Sequence, residues 1–278
     1  MKNNYAIRWV IALKSEAIAI IKKYDMKSFD HHGLFQLFKN SDGTHWLVIS
    51  GIGQINSASA TTYLYKVSQA PPWCSWINIG IAGYKSNYGT MYLVDKVTRK
   101  SSGEDDFPGN LIKSKVMREK LITVDKPDTN YEENALIDME ASSFLDIATR
   151  LTCRELVIIL KVVSDEPNSS IKKLTAQKIT NLIKKNIKTI LEIASEAGNL
   201  SQEEYERIKL PDFYFLTIKK FHFTETQKNQ LKFLTRRCTS VFDEKRLLSK
   251  FHIFKNSAEV IHYLSDKLEQ NIINWSEK

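Results

Sequence analysis

Residues 155–167 read ELVIILKVVSDEP. Between Leu156 and Val163 only Lys161 interrupts an apolar, largely β-branched run. A strand with one wet face alternates apolar and polar residues, whereas a near-continuous apolar strand lies inside a sheet covered on both faces. The run ends at Ser164-Asp165, so a hydroxyl and a carboxyl are offered at the strand's carboxyl end. Working outward, Lys172 to Ala197 is predicted to form a long helix, and another helix follows Asp138. Farther upstream, YAIRWVIAL reads as a strand running into the helix KSEAIAIIKKY. LFQLFKN, the turn SDG and HWLVISGIG read as a hairpin. A helix is expected over Asn56 to Val67, then a buried strand SWINIGIAG, with further strands at TMYLVDKVT, EKLITVDK and NALID. Strands alternating with helices in this way specify an α/β fold with a central mixed sheet flanked by helices.

After Gly198 the texture changes to mixed charge and aromatics. Thr224 and Gln227 form a capping-box pattern, and NSAEVIHYLSDKLEQNIINW is an amphipathic helix. The expected organisation is therefore a domain over 1–198 and a mostly helical C-terminal extension over 199–278. No internal repeat is evident.

Composition narrows the function. The 278 residues are 42% hydrophobic, ample for a core. No apolar run is long enough to span a bilayer and no secretory signal opens the chain, so a cytoplasmic protein without a membrane partner is expected. Cys74, Cys153 and Cys238 are far apart and form no C-x-x-C pair, which points to reduced thiols and to no metal site. The net charge of +8 is diffuse. From Ser201 onward, fourteen Lys and Arg face eleven Asp and Glu, a net of +3, so solvated faces and no nucleic-acid partner are expected.

In α/β sheets ligands bind in the loops at the carboxyl ends of the strands. That rule gathers the segment around Glu16, SGIGQIN, GIAGY, DME and SDE. The glycines of SGIGQIN do not complete a dinucleotide fingerprint, and no cofactor is inferred. Gly80, Ala82 and Gly83 either let a ligand approach the backbone or let the chain turn. Asp165 suits a general acid or a cap before Pro167. Glu16 by itself suits a first-turn glutamate. Glu140 shares a helical face with Phe144, Ile147, Leu151 and Ala148, which turns a carboxylate toward a core or a cleft. Together, three carboxylates suit the breaking of an N-glycosidic bond: one activates water, one holds sugar hydroxyls, and one protonates the leaving base.

The motifs ALKSEA (12–17), SGIGQINSA (50–58), NIGIAG (78–83), IDMEAS (137–142) and VVSD (162–165) occur in an order that resembles the nucleoside phosphorylase and nucleosidase superfamily. The chain is most similar to its methylthioadenosine/S-adenosylhomocysteine nucleosidase branch, over residues 6 to 197. The resemblance implies a three-layer sandwich and a purine nucleoside N-ribohydrolase acting on adenosine or a 5′-modified adenosine such as methylthioadenosine. It implies Glu16 as the base for the attacking water, Asp165 as the acid for purine N7, and Glu140 as the ribose ligand with Met139 on the sugar face. Ser164, Gly53, Ala82, Gly83 and Lys161 complete the implied substrate site. No cofactor or metal is implied, the partner is a small-molecule purine nucleoside, and a homodimer is the family's usual state.

The alternatives are a phosphate-dependent purine nucleoside phosphorylase and a catalytically impaired nucleoside-binding or scaffold protein of the same fold. Phosphorylases of this family hold phosphate with an arginine two residues before a G-[ST]-x-G loop. Here Asn78 and Ile81 occupy those places, which favours hydrolysis. Lys161 stands where the hydrolytic members carry an arginine, and the segment 97–121 is shorter than theirs.

Overall fold

A computed structural model describes residues 4–29, 33–85, 87–109, 111–127, 134–165 and 174–270. The chain divides into two compact units, Met1–Tyr205 and Glu206–Lys278.

The first unit is built on strands β1 (Ile7–Ile11), β2 (Lys27–Phe29), β3 (Gln36–Lys39), β4 (His45–Ile49), β5 (Ser75–Gly83), β6 (Met91–Arg99), β7 (Asp105–Asp106), β8 (Met117–Thr123), β9 (Leu136–Asp138) and β10 (Val157–Asp165). Helices α1 (Lys14–Lys23), α2 (Gln54–Ser68), α3 (Ala141–Leu151), α4 (Ala176–Lys185) and α5 (Ile187–Ile208) connect or follow them. The four strands β4, β1, β5 and β10 run parallel and side by side. Strand β10 is buried at every position, as its apolar run demands. It pairs with β5 on one edge and, antiparallel, with β6 on the other. Because β6 continues through β8 and β9 back to β5, this part of the sheet closes into a ring.

Both faces of the sheet are covered. Along β1, Val10 packs with Ala60 and Leu64 of α2 and Phe144 and Ala148 of α3. Its neighbours Trp9 and Ile11 pack with Ala17 and Ile20 of α1, Ile183 of α4 and Ile190 and Ile193 of α5. The alternation follows the two-residue period of a strand.

Two boundaries differ from the sequence reading. The helix expected over 172–197 is two helices, α4 and α5, and Lys172 lies outside the described residues. The break falls at Asn186, whose side-chain amide donates to Leu182 O at 3.0 Å and Gly89 O at 3.1 Å, competing with the helical ladder. The boundary expected at 198 falls inside α5, and the compact units separate only after Tyr205. Helix α5 continues because its surface is tied to the sheet there. Ala6 N donates to Ser201 Oγ at 3.0 Å, Ser201 Oγ to Trp73 O at 2.6 Å, and Ser75 Oγ to Ala197 O at 2.8 Å.

The second unit contains α6 (Asp212–Lys220), α7 (Glu225–Val241), α8 (Glu244–Ser249) and α9 (Ser257–Glu269) around a core that includes Phe213, Leu231, Leu234, Val260 and Leu264. The Thr224–Gln227 capping box is formed in both directions at the start of α7. Among the described residues no helix is long and apolar enough to cross a membrane.

Candidate active site

Glu16 sits in the first turn of α1, immediately beyond β1, and is 2% exposed. One carboxylate oxygen accepts from Leu13 N at 2.8 Å, closing the helix start. The other accepts from Ile81 N on β5 at 2.9 Å. The same side chain thus serves as a helix-capping group and as a link between two parallel strands. Burial pushes its carboxyl up to about 7, against the opposing pull of these two amides and of Lys161. A carboxyl that gains and loses its proton near neutrality is suited to general-base work. Gly80 makes room for it: a Cβ there would lie 3.0 Å from Glu16 Oε1 and 3.6 Å from Lys161 Nζ.

Glu140 does not stand inside α3. It is the N-cap residue, with φ −129°, and is 8% exposed. Its Oε1 accepts from Gly53 N at 2.8 Å, which binds the loop after β4 to the start of α3. The buried face of α3 is formed by Ala141, Phe144, Leu145 and Ala148, whereas Ile147 and Leu151 are only half-buried. Burial raises the Glu140 carboxyl, and neighbouring Asp138 raises it further.

Beneath these groups lies a buried ion pair between Lys161 Nζ and Asp138 Oδ2 at 2.8 Å. Asp138 also accepts from Thr123 Oγ1 at 2.8 Å and from Ala141 N at 2.9 Å, so its oxygens are well satisfied. Burial alone would lower the Lys161 ammonium. The carboxylates of Asp138, Glu140 and Glu16 outweigh burial and hold it above its ordinary value. One cation thus compensates three inward-facing carboxyl groups, which explains why a lysine interrupts the apolar run of β10.

At the carboxyl end of β10 the register with β5 shifts between Val163 and Asp165, placing Asp165 opposite Gly83. Such irregularities re-aim side chains, often beside functional sites. Ser164 Oγ donates to Asp165 Oδ1, orienting the carboxyl. Both residues are buried. The alternative of a cap before Pro167 concerns residues outside those described.

These elements enclose a cavity of about 300 Å³. Of the residues expected at the site, Glu16, Ala82, Gly83, Met139, Glu140, Ser164 and Asp165 line it. Two do not. Gly53 contributes through its N–H to Glu140, and Lys161, 1% exposed, lies behind the wall in its pair with Asp138. Apolar side chains, including Ile52, Val124, Leu174 and Ile179, complete the lining. The rule of carboxyl strand ends accounts for the loops after β1, β4, β5 and β10. The DME segment arrives differently, on β9, which runs antiparallel to β5 and meets it at Gly83. Sequence reasoning assigned no role to Asp138. The signal available was an aspartate three residues before Ala141, the pattern of a side chain capping a helix start.

The fold is shared with solved nucleosidases and a futalosine hydrolase, at 11–16% sequence identity. The solved structures it resembles include the native futalosine hydrolase of Helicobacter pylori, at a TM-score of 0.57 and 11% identity over 69% of this chain and 98% of that one. They also include the 5′-methylthioadenosine/S-adenosylhomocysteine nucleosidase of Campylobacter jejuni (TM-score 0.56, 14% identity, 69% of this chain and 99% of that one). The corresponding enzyme of S. pneumoniae aligns with a TM-score of 0.54 and 16% identity over 68% of this chain and 97% of its own. No protein-family model and no curated protein sequence matches this chain.

Proposed function

We propose that the protein is a metal-independent purine nucleoside N-ribohydrolase acting on adenosine or a 5′-modified adenosine such as methylthioadenosine. The observation that carries this reading is the convergence of Glu16, Glu140 and Asp165, from three separate segments, on one largely apolar cavity. In this reading Glu16, poised near neutrality, takes a proton from the attacking water. Glu140, held by Gly53 N, accepts hydrogen bonds from the ribose hydroxyls, and Met139 packs on the sugar. Asp165, oriented by Ser164, protonates the departing base at N7. Negative carboxylates on the sugar side also favour an oxocarbenium-like transition state.

Hydrolysis is favoured over phosphorolysis by two placements. Asn78 is 2% exposed inside β5 and its side-chain amide donates to Val10 O at 2.9 Å, and the Lys161 charge is engaged by Asp138. Among the described residues that line the cavity, a phosphate dianion would find no available cation. A cytoplasmic homodimer is the state that accompanies this reading.

The test is free-base release from methylthioadenosine, S-adenosylhomocysteine, adenosine and inosine, with and without phosphate. Release without phosphate, lost in Asp165→Asn with the fold intact, is expected. Release only with phosphate, giving ribose 1-phosphate, refutes hydrolysis. Full activity of Asp165→Asn refutes the assignment of the acid.

A further inference from the structure

We infer that the first unit carries a second ligand site, at the amino-terminal end of the parallel strands, built for a small neutral heteroaromatic molecule with a ring-nitrogen acceptor. A cavity of about 340 Å³ lies there, where β1 and β4 begin, walled by Tyr24 at the C-cap of α1 and by residues 194–202 of α5. Volumes of this order are usual for small-molecule pockets.

Its polar wall centres on His45, the first residue of β4, which is 3% exposed. Trp9 Nε1 donates to His45 Nδ1 at 3.2 Å. That bond requires an unprotonated Nδ1, so the neutral ring carries its hydrogen on Nε2. Burial depresses the imidazole to about 4, keeping it neutral at physiological pH. Among the described residues Nε2 has no hydrogen-bond partner, and it is not among the sealed unpartnered atoms. A buried histidine with an unused donor beside a cavity is a candidate recognition group.

The surroundings define what that donor would meet. The Tyr24 ring stacks on the His45 ring with centroids 3.9 Å apart, and Tyr5 stands edge-on at 5.8 Å. Both tyrosines line the cavity, and neither hydroxyl has a hydrogen-bond partner among the described residues. Burial and Tyr5 push the Tyr24 phenol up to about 12, so it remains a donor. The Tyr5 ring lies against Gly198 of α5, where a Cβ would meet Tyr5 Cδ2 at 3.4 Å. Among the described residues no Asp, Glu, Lys or Arg lines this cavity and His45 is neutral, so a charged ligand would find no counter-charge among them. Aromatic walls, unused donors and the missing charge together select a flat, uncharged molecule of one or two rings whose ring nitrogen accepts from His45 Nε2.

The inference is independent of the reaction proposed at the other end of the sheet. Its test uses the full chain labelled with 15N-histidine, the His45 resonances being assigned with His45→Gln. Benzimidazole, which has a ring-nitrogen acceptor, and indole, which lacks one, serve as probes. Saturable shifts at His45 and at least tenfold tighter binding of benzimidazole are expected. Ser195→Trp, at an exposed position on the rim, should abolish the shifts with the thermal transition unchanged. Absence of a saturable shift, equal binding of indole, or unchanged binding in Ser195→Trp would each overturn the inference.

Discussion

Replacing Glu16 by Gln probes the buried carboxyl at the centre of the site. Folding raises this carboxyl from 4.5 to about 7, which at about 1.4 kcal/mol per pH unit corresponds to about 3 kcal/mol. A raised carboxyl binds its proton more tightly in the folded state than in the unfolded one. Its contribution is therefore fully present below the unfolded value of 4.5 and is lost as pH rises through about 7. The Gln variant cannot titrate here. It also forfeits one accepted bond, because Leu13 N and Ile81 N address opposite carboxylate oxygens and an amide offers only one acceptor. That loss, about 1–3 kcal/mol, is nearly independent of pH and cancels from the slope. Urea unfolding of both proteins from about pH 4 to about pH 8.5, followed by tryptophan fluorescence, reports mainly on the first unit, since four of the five tryptophans, Trp9, Trp46, Trp73 and Trp76, lie there. Wild type should lose about 3 kcal/mol relative to the variant between the two ends. A constant difference, or wild type gaining with pH, would refute the electrostatic account of Glu16.

Three further outcomes follow from the same geometry. Gly80→Ala should press a methyl group against Glu16 Oε1 and reduce kcat/KM roughly ten- to a hundredfold with a small change in stability; an unchanged rate would show that Glu16 can move without consequence. Lys161→Met should destabilise the first unit by about 3–5 kcal/mol at neutral pH, because Asp138 keeps its burial and loses its counter-ion. The penalty should shrink in acid as the raised carboxyls of Glu16 and Glu140 take up protons and shed their need for the ammonium, which a pH series of melting curves would reveal. Gly109→Ala should be among the most disruptive single changes, since the new Cβ would lie 2.3 Å from both Arg154 O and Glu155 Cα; a melting temperature equal to wild type would contradict that packing.

The placement of Lys161 bears on how the site tolerates its charges. A lysine buried on a central strand would ordinarily be a liability. Here its ammonium pairs with Asp138 while Glu140 and Glu16 stand close enough to influence it, so the carboxyl groups can be brought together without full mutual repulsion. The ion pair is fastened to α3 through Ala141 N and to β8 through Thr123, which makes it a positioning element for the start of α3 and hence for Glu140.

Much of the fold was legible in the chain because it depends on local periodicity. The apolar run of β10, the hairpin of β3 and β4, and the strand-to-helix step at Glu16 are patterns of neighbouring residues, and their order specifies a mixed sheet covered by helices. The candidate carboxylates were legible for the same reason, each following a strand. The short strands β2 and β7 carry too few residues for a period to show, and the interruption at Asn186 arises from one side chain reaching to Gly89. Only tertiary structure decided that β9 approaches antiparallel, that Glu140 caps α3 instead of lying within it, and that Lys161 pairs with Asp138 behind the cavity. Those outcomes depend on contacts between segments far apart in the chain: register across the closed ring of strands sets which groups face one another, and burial then sets their charge. The second cavity is the clearest case. Tyr5, Tyr24, His45 and α5 share no local pattern, and the sheet alone brings them around one space.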